Sequence, residues 1–251
     1  MEHHLSPLVE FASEKLHVLL IFMGVVYAFK IRWILLHPAG RDRQAPTGSP
    51  DTTGRRGAVY SLFNIAMPWM MPSTRKHKLF YAQFVIFHIG VACSIAMSIV
   101  FSYWPVLISS PPVVLVLQIV FAAAFVVGLI RFIRRVGVPI MRMISSPDDI
   151  FSVALLTVWL ALSYMMAVQA PAFAAAKGQL EASASVAALN ETPILIYYFV
   201  TSFFLVYVPF SKISHYIYYP FSRWYLGRTL GHRGVYPMKS FGSEAGAKYL
   251  S

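Results

Sequence analysis

Five apolar runs, each long enough to cross a lipid bilayer, constrain the fold of this chain more than any other feature. An α-helix needs roughly 20 residues to span about 30 Å of hydrocarbon, and it satisfies its own backbone hydrogen bonds where water is absent. Pro220 is expected to end the last run. The sequence predicts an all-α integral membrane bundle, a single domain whose five transmembrane helices cover about residues 16–36, 79–100, 113–133, 150–168 and 193–219.

Composition supports a membrane protein and excludes several other classes. Hydrophobic residues make up 57% of the 251 residues and charged residues only 12%, against roughly 25% charged in soluble domains. The net charge is +11, but the sequence contains no basic helix, zinc signature or aromatic RNA-binding motif. The expected partners therefore include membrane lipid and no nucleic acid. The single cysteine, Cys93, excludes a disulfide or a cysteine-ligated iron–sulfur centre within this chain. No CxxCH motif occurs, so any haem is expected to be held noncovalently.

The distribution of lysine and arginine predicts the orientation. All but two of the 21 lie in the connection between the first and second runs, in that between the third and fourth, in the stretch after the fifth, or at the adjoining ends of those runs; the exceptions are Lys15 and Lys177. Because basic connections stay in the cytoplasm, the N-terminus is expected outside and the C-terminus in the cytoplasm, with the chain in a bacterial or archaeal cytoplasmic membrane. Residues 40–57, rich in Gly, Pro and charge, are then a flexible cytoplasmic loop, and residues 220–251 a cytoplasmic tail.

Two further segments are too short or too polar to span. Residues 59–72 are apolar, and they are either an interfacial segment, with Tyr60 and Trp69 at headgroup level, or a docking surface for a partner. Residues 172–193 are rich in alanine and are expected to form a short surface helix on the outer side.

Two histidines in different predicted spans are the candidate site. His88 follows Lys78 by ten residues, about 15 Å along a helix, and His215 precedes Arg223 by eight, about 12 Å. An intramembrane histidine marks a functional site by default, and two at one depth predict bis-histidine ligation of a b-type haem. Taken singly, either histidine could instead bond to a neighbouring helix. Lys212 could pair with a haem propionate or extend to the headgroups.

The stretches IFHIG, around His88, and PFSKISHYIYYPFSRWYLGRTLGHRG, around His215, resemble the cytochrome b (gamma) subunit family of respiratory nitrate reductases. That family includes related subunits of heterodisulfide-reductase-like and sulfate-reducer redox complexes. The resemblance implies that His88 and His215 ligate the haem nearer the cytoplasm. It also implies electron transfer between menaquinone or ubiquinone, as diffusible substrate, and a cytoplasmic iron–sulfur or molybdopterin subunit that carries the catalytic centre.

The chain departs from the fuller family pattern at the outer haem. The positions that would supply a second histidine pair fall near Ser98 and Tyr197, and neither residue can replace a histidine. One haem b is therefore expected, although Met97 and His17 lie at about the outer level as another ligand pair. A haem-free membrane anchor is the alternative function. A small transporter fits poorly, because no intramembrane carboxylate or inverted repeat is evident.

Overall fold

A computed structural model of the chain describes residues 5–40, 43–45, 52–67, 72–181 and 189–238. Every regular element within these ranges is helical. The α-helices are α1 Pro7–Leu36, α2 Gly54–Phe63, α3 Pro72–Lys76, α4 Lys78–Tyr103, α5 Pro111–Gly137, α6 Pro139–Met143, α7 Pro147–Ala176, α8 Glu191–Tyr207 and α9 His215–His232. Short 3₁₀ turns lie at Asn64–Ala66, Pro105–Ile108, Val208–Phe210 and Lys212–Ser214.

Five segments are long and apolar enough to cross a membrane, which confirms the predicted all-α fold with five spans. They are Pro7–Leu36, Lys78–Tyr103, Pro111–Gly137, Pro147–Ala176 and Glu191–Phe210. Most extend beyond the predicted bounds, because helical hydrogen bonding continues into polar residues that a hydropathy window leaves out. The alanine-rich stretch differs from the predicted surface helix: its first residues complete α7 up to Ala176, and residues 182–188 lie outside the described ranges.

The fifth apolar run is not one helix, and the predicted end at Pro220 is wrong. α8 ends at Tyr207, before Pro209, which has no amide hydrogen to donate to the preceding turn. Ser211 is extended, with φ −97° and ψ 171°. Its hydroxyl donates to the Val208 carbonyl at 3.1 Å and accepts from the Ile213 amide at 3.2 Å. These local bonds replace helical ones over two 3₁₀ turns.

Pro220 instead lies inside α9, where contacts with other elements hold the helix together. The Tyr219 hydroxyl donates to the Leu62 carbonyl at 3.0 Å. Arg223 donates through Nε to the Ser61 carbonyl at 3.0 Å and through NH2 to the Asn64 side-chain oxygen at 2.6 Å. These bonds to α2 and the turn after it offset the backbone bond that proline removes.

The chain separates into two compact units, where the sequence predicts one domain. The first contains the chain up to Val26 and Gln83–Ile213, and the second contains Tyr27–Ala82 and the chain from Ser214 onward.

In the first unit, small residues set the spacing of helices. Gly90 of α4 faces Ala124 of α5 so closely that a Cβ on the glycine would lie 2.2 Å from the alanine Cβ. Gly128 of α5 packs on Thr157 of α7, where an added Cβ would lie 2.6 Å from Oγ1. Such close backbone approach is how membrane helices gain packing contacts without a hydrophobic driving force. Gly90, two residues after His88, therefore serves helix packing.

The second unit is built on a close crossing of α2 and α9. A Cβ added to Gly57 would lie 2.2 Å from the Gly227 carbonyl oxygen, and one added to Gly231 would lie 2.5 Å from the Thr53 carbonyl oxygen. The GRTLG segment is thus a small-xxx-small helix face used within the chain. The end of the predicted loop 40–57 forms the start of α2, and the beginning of the predicted tail 220–251 forms part of α9. Residues 41–42 and 46–51 of the predicted flexible loop lie outside the described ranges.

The interpretation of residues 59–72 also changes in part. Val59–Phe63 belong to α2, which packs on α9, so this part is not a free docking surface. Its location at the membrane interface stays a prediction. Tyr60 is half-buried against Tyr236, with ring centroids 5.0 Å apart. Burial, and next the nearby Tyr236, raise the pKa of Tyr60 above its ordinary value. Trp69 lies outside the described residues.

Candidate functional site

His88 lies in the first unit, on α4, among the apolar residues of the second span. Its side chain is half-buried, and Nδ1 is 2.7 Å from the carbonyl oxygen of Phe84, one turn earlier. A carbonyl oxygen only accepts hydrogen bonds, so Nδ1 is the nitrogen that carries the hydrogen. The lone pair of the neutral ring is then on Nε2, which is the arrangement that a metal-ligating histidine needs.

The surroundings of His88 are aromatic on one side. The ring centroid of Phe84 is 4.0 Å away and that of Phe87 6.2 Å away. Gly90, two residues on, lies about 200° around the helix, since each residue turns it by about 100°. His88 therefore points away from the face on which Gly90 meets Ala124.

His215 lies in the second unit as the first residue of α9, and its side chain is exposed. The residues on either side of it contact Tyr27 of α1. The Tyr27 and Tyr216 hydroxyl oxygens are 2.5 Å apart, and the Ser214 hydroxyl is 3.4 Å from that of Tyr27. The start of α9 is thus tied to the second half of α1, and these bonds fix the backbone that carries His215.

The two histidines belong to different compact units, and their pairing stays a prediction. The depth comparison that favoured the pair assumed one continuous helix from residue 193 to residue 219. The fifth span instead ends at Phe210, and His215 follows a second 3₁₀ turn. The comparison of depths therefore no longer supports the pair, and the chemistry of His88 becomes the stronger observation.

Lys212 has a carboxylate partner within this chain. Its Nζ lies 3.1 Å from both oxygens of Asp149 and 2.9 Å from the Ser146 hydroxyl. Ser146 and Asp149 form a capping box at the start of α7, and Arg135 lies 3.7 Å from the same carboxylate. Lys212 thus fastens the turn before α9 to the beginning of α7. Its predicted contact with a haem propionate stays a prediction.

Sequence reasoning missed this capping cluster, although a signal was present. The S-x-x-D spacing of Ser146 and Asp149 before an apolar run is typical of a helix start. Asp148, between them, accepts hydrogen bonds from the Tyr207 hydroxyl and the Lys212 amide, the latter at 3.4 Å. The charges near the end of the fifth span are thereby used to hold helices together.

Lys177, one of the two exceptions to the charge bias, also has a structural partner. Its Nζ donates to the Ser102 carbonyl at 2.7 Å, and the Gln179 side chain donates to the Tyr103 carbonyl at 3.0 Å. The last carbonyls of α4 are therefore satisfied by the chain that follows α7. Burial lowers the pKa of Lys177, and Glu10 opposes that change.

The positions that a second haem would require are filled by side chains. Ser98 is buried and donates to the Ile95 carbonyl at 2.7 Å. Tyr197 is fully buried in an aromatic cluster with Phe101, Phe173 and Tyr198, in which the Phe101 and Phe173 rings stack 4.4 Å apart.

The two residues at the outer level that form the alternative ligand pair are also packed. The ring of His17 stacks on that of Tyr103 with centroids 4.3 Å apart, and Met97 is buried. The expectation of a single haem, with His17 and Met97 as the alternative outer pair, stays a prediction.

These features define a helical membrane protein with five spans and a separate pair of helices packed through glycine. No family model, no curated protein and no solved structure matches the chain.

Proposed function

We propose that the chain is the haem b membrane subunit of a respiratory redox complex. It would transfer electrons between the quinone pool and a cytoplasmic iron–sulfur or molybdopterin subunit. The observation that carries this proposal is the His88 imidazole, which lies within a membrane span with Nδ1 committed to the Phe84 carbonyl. A half-buried histidine held in that tautomer carries the Nε2 lone pair with which imidazole binds iron.

The residues of this chain would hold and orient the group. His88 of α4 would be one ligand of the haem iron, and the Phe84 carbonyl holds its ring and increases the basicity of Nε2. His215 is the proposed second ligand, and the hydrogen bond between Tyr27 and Tyr216 fixes the backbone beside it. When bound, haem supplies reversible one-electron transfer, and the protein tunes its potential through ligands and burial.

The proposed placement is a bacterial or archaeal cytoplasmic membrane, with the N-terminus outside. The distribution of lysine and arginine supports this placement. Lys177, which departs from that distribution, is bonded to the Ser102 carbonyl at the end of α4. The partner subunit would dock on the basic connections, where the exposed Arg55, Arg134 and Arg233 lie.

A spectrum of the purified chain tests this function. The dithionite-reduced minus oxidised difference should show the bands of a low-spin b haem, and His88→Ala should remove most of them. His77→Ala is the matched control, because His77 is exposed and lies between α3 and α4. Full haem content in H88A, or no haem bands from the native chain purified with its partner, would refute the proposal.

A haem-free anchor subunit is the second candidate, and one observation favours it. His215 is exposed and begins a helix that is separate from the fifth span. The same difference spectrum separates the two functions, because an anchor gives no haem bands in either the native chain or H88A.

A further inference from the structure

A groove of about 870 Å³ lies in the second unit, beside the crossing of α2 and α9. Its wall includes residues that follow α1, the first residues of α2 and residues of α9. Among the residues that line it are Gly54, Arg55, Trp224, Leu226, Arg228 and His232. None of them belongs to the proposed haem site.

Close packing of the two helices places basic residues of both helices on the same groove. A Cβ on Gly54 would lie 3.2 Å from both Cγ and the carbonyl oxygen of Arg228. Arg55 follows Gly54, and Arg228 follows Gly227, which itself meets Gly57. The glycine contacts that join α2 and α9 therefore place one arginine from each helix on the wall of one groove.

The charge of the groove favours an anion. Arginine stays protonated at all ordinary pH values, and the described residues that line the groove include no acidic side chain. His232 adds a third nitrogen-bearing side chain, and its Nε2 donates to the Gln44 carbonyl at 2.6 Å, which holds the ring to the chain after α1. Two guanidinium groups at one groove form charge-assisted, fork-shaped hydrogen bonds with phosphate oxygens.

The apolar lining identifies the source of the phosphate. Trp224 and Leu226 line the same groove and remain 39% and 43% exposed. The groove also includes Ala39 and Gly40, just after the end of the first span at Leu36. Tryptophan beside arginine at the end of a span is typical of the interface between headgroups and hydrocarbon. A soluble phosphate gains nothing from the apolar side chains, whereas a phospholipid contacts both.

We propose that this groove is a binding site for the phosphate group of an anionic phospholipid, with phosphatidylglycerol or cardiolipin as the fitting chemistry. Basic pockets beside membrane helices on the cytoplasmic side bind such headgroups. The site does not include the proposed haem ligands, so lipid binding and haem binding are measured separately. Arg55 also lies in one of the basic connections on which the partner subunit would dock.

Lipid titration of the full chain in detergent, followed by native mass spectrometry, tests the site. The probes are dioctanoyl phosphatidylglycerol, dioctanoyl phosphatidylcholine, inorganic phosphate and a hexaglutamate peptide. The native chain should bind phosphatidylglycerol with preference over phosphatidylcholine. The variant R55Q/R228Q should bind it at least about tenfold more weakly, because two charge-assisted contacts are lost.

The matched control is R75Q/K76Q, which loses the same charge at exposed positions of α3 outside the groove. It should bind phosphatidylglycerol like the native chain, and R55K/R228K should retain more binding than the glutamine variant. If R55Q/R228Q does not fold, the single variants R55Q and R228Q give the same comparison.

Four results would overturn the proposal. The first is unchanged binding in R55Q/R228Q, and the second is an equal loss in R75Q/K76Q. The third is competition by inorganic phosphate as effective as that by the lipid, which assigns the groove to a soluble phosphate. The fourth is arginine-dependent binding of hexaglutamate without binding of phosphatidylglycerol, which assigns the groove to an acidic protein segment.

Discussion

Gly57 of α2 and Gly231 of α9 face each other so closely that a methyl group on Gly57 would lie 2.6 Å from the Gly231 Cα. The two backbones are in direct contact, with no side chain between them. Any residue larger than glycine must push the helices apart. The stability of the second unit therefore depends strongly on these two glycines, although neither has a side chain to bury.

We expect Gly57→Ala to destabilise the second unit by about 1–3 kcal/mol, the usual cost of overpacking a tight contact. Limited proteolysis in detergent should show faster cleavage around α2 and α9. Gly24→Ala is the control, because nothing lies within 4 Å of the Cβ it adds, and alanine favours a helix over glycine by about 1 kcal/mol. Equal protease resistance in both variants would contradict the role assigned to the crossing.

Replacement of Lys177 by methionine should destabilise the end of α4. The change leaves the Ser102 carbonyl without its charged donor, at a cost of about 1–3 kcal/mol for a buried group. Thermal unfolding in detergent measures the loss. Lys15→Met is the control, because Lys15 is exposed and is the other basic residue on the same predicted side. A loss in K15M as large as that in K177M would indicate an effect of charge alone.

The capping cluster gives a graded prediction. Asp149→Ala removes one half of a capping box and should cost about 0.5–2 kcal/mol. Lys212→Ala removes an exposed ion pair and should cost no more than about 1 kcal/mol. Unfolding temperatures rank the two. If K212A instead lowers haem content with little change in unfolding temperature, Lys212 acts on the cofactor and not on the start of α7.

Haem content should be close to one per chain by pyridine haemochrome assay. The reason is that Ser98 and Tyr197 stand where a second histidine pair would be needed, and Tyr197 is packed against Phe101. His215→Ala should lose the low-spin spectrum as His88→Ala does. A value near two would direct attention to His17 and Met97. Retention of the full spectrum in H215A would exclude His215 as the second ligand.

The five spans were predictable because length and hydropathy act locally. The break before His215 was harder to predict, since Pro209 lies in a run whose apolar residues continue on both sides. A hydropathy value does not reflect the missing amide hydrogen of proline, although that missing donor breaks the helical hydrogen-bond pattern. For the same reason the sequence predicts that the fifth helix ends at Pro220, whereas the structure ends α8 at Tyr207, just before Pro209.

The contacts between distant segments were not predictable from one sequence. GRTLG contains a small-xxx-small spacing, but nothing in the sequence indicates that Gly57 is its partner. The tautomer of His88 also depends on the carbonyl that its ring meets, which a residue pattern does not specify. The sequence therefore indicates which residues are candidates for the site, while their orientation and their neighbours required the structure.

The discontinuous second unit has a consequence for biosynthesis. Arg223 and Ser61, which bond across the α2–α9 crossing, are 162 residues apart. Chains are made from the N-terminus at about 5–20 residues per second, so α2 is complete several seconds before α9 exists. A ribosome that stopped after Phe210 would release all five spans with the glycine face of α2 uncovered. Closure of this crossing is thus a late event that only a fully translated chain can complete.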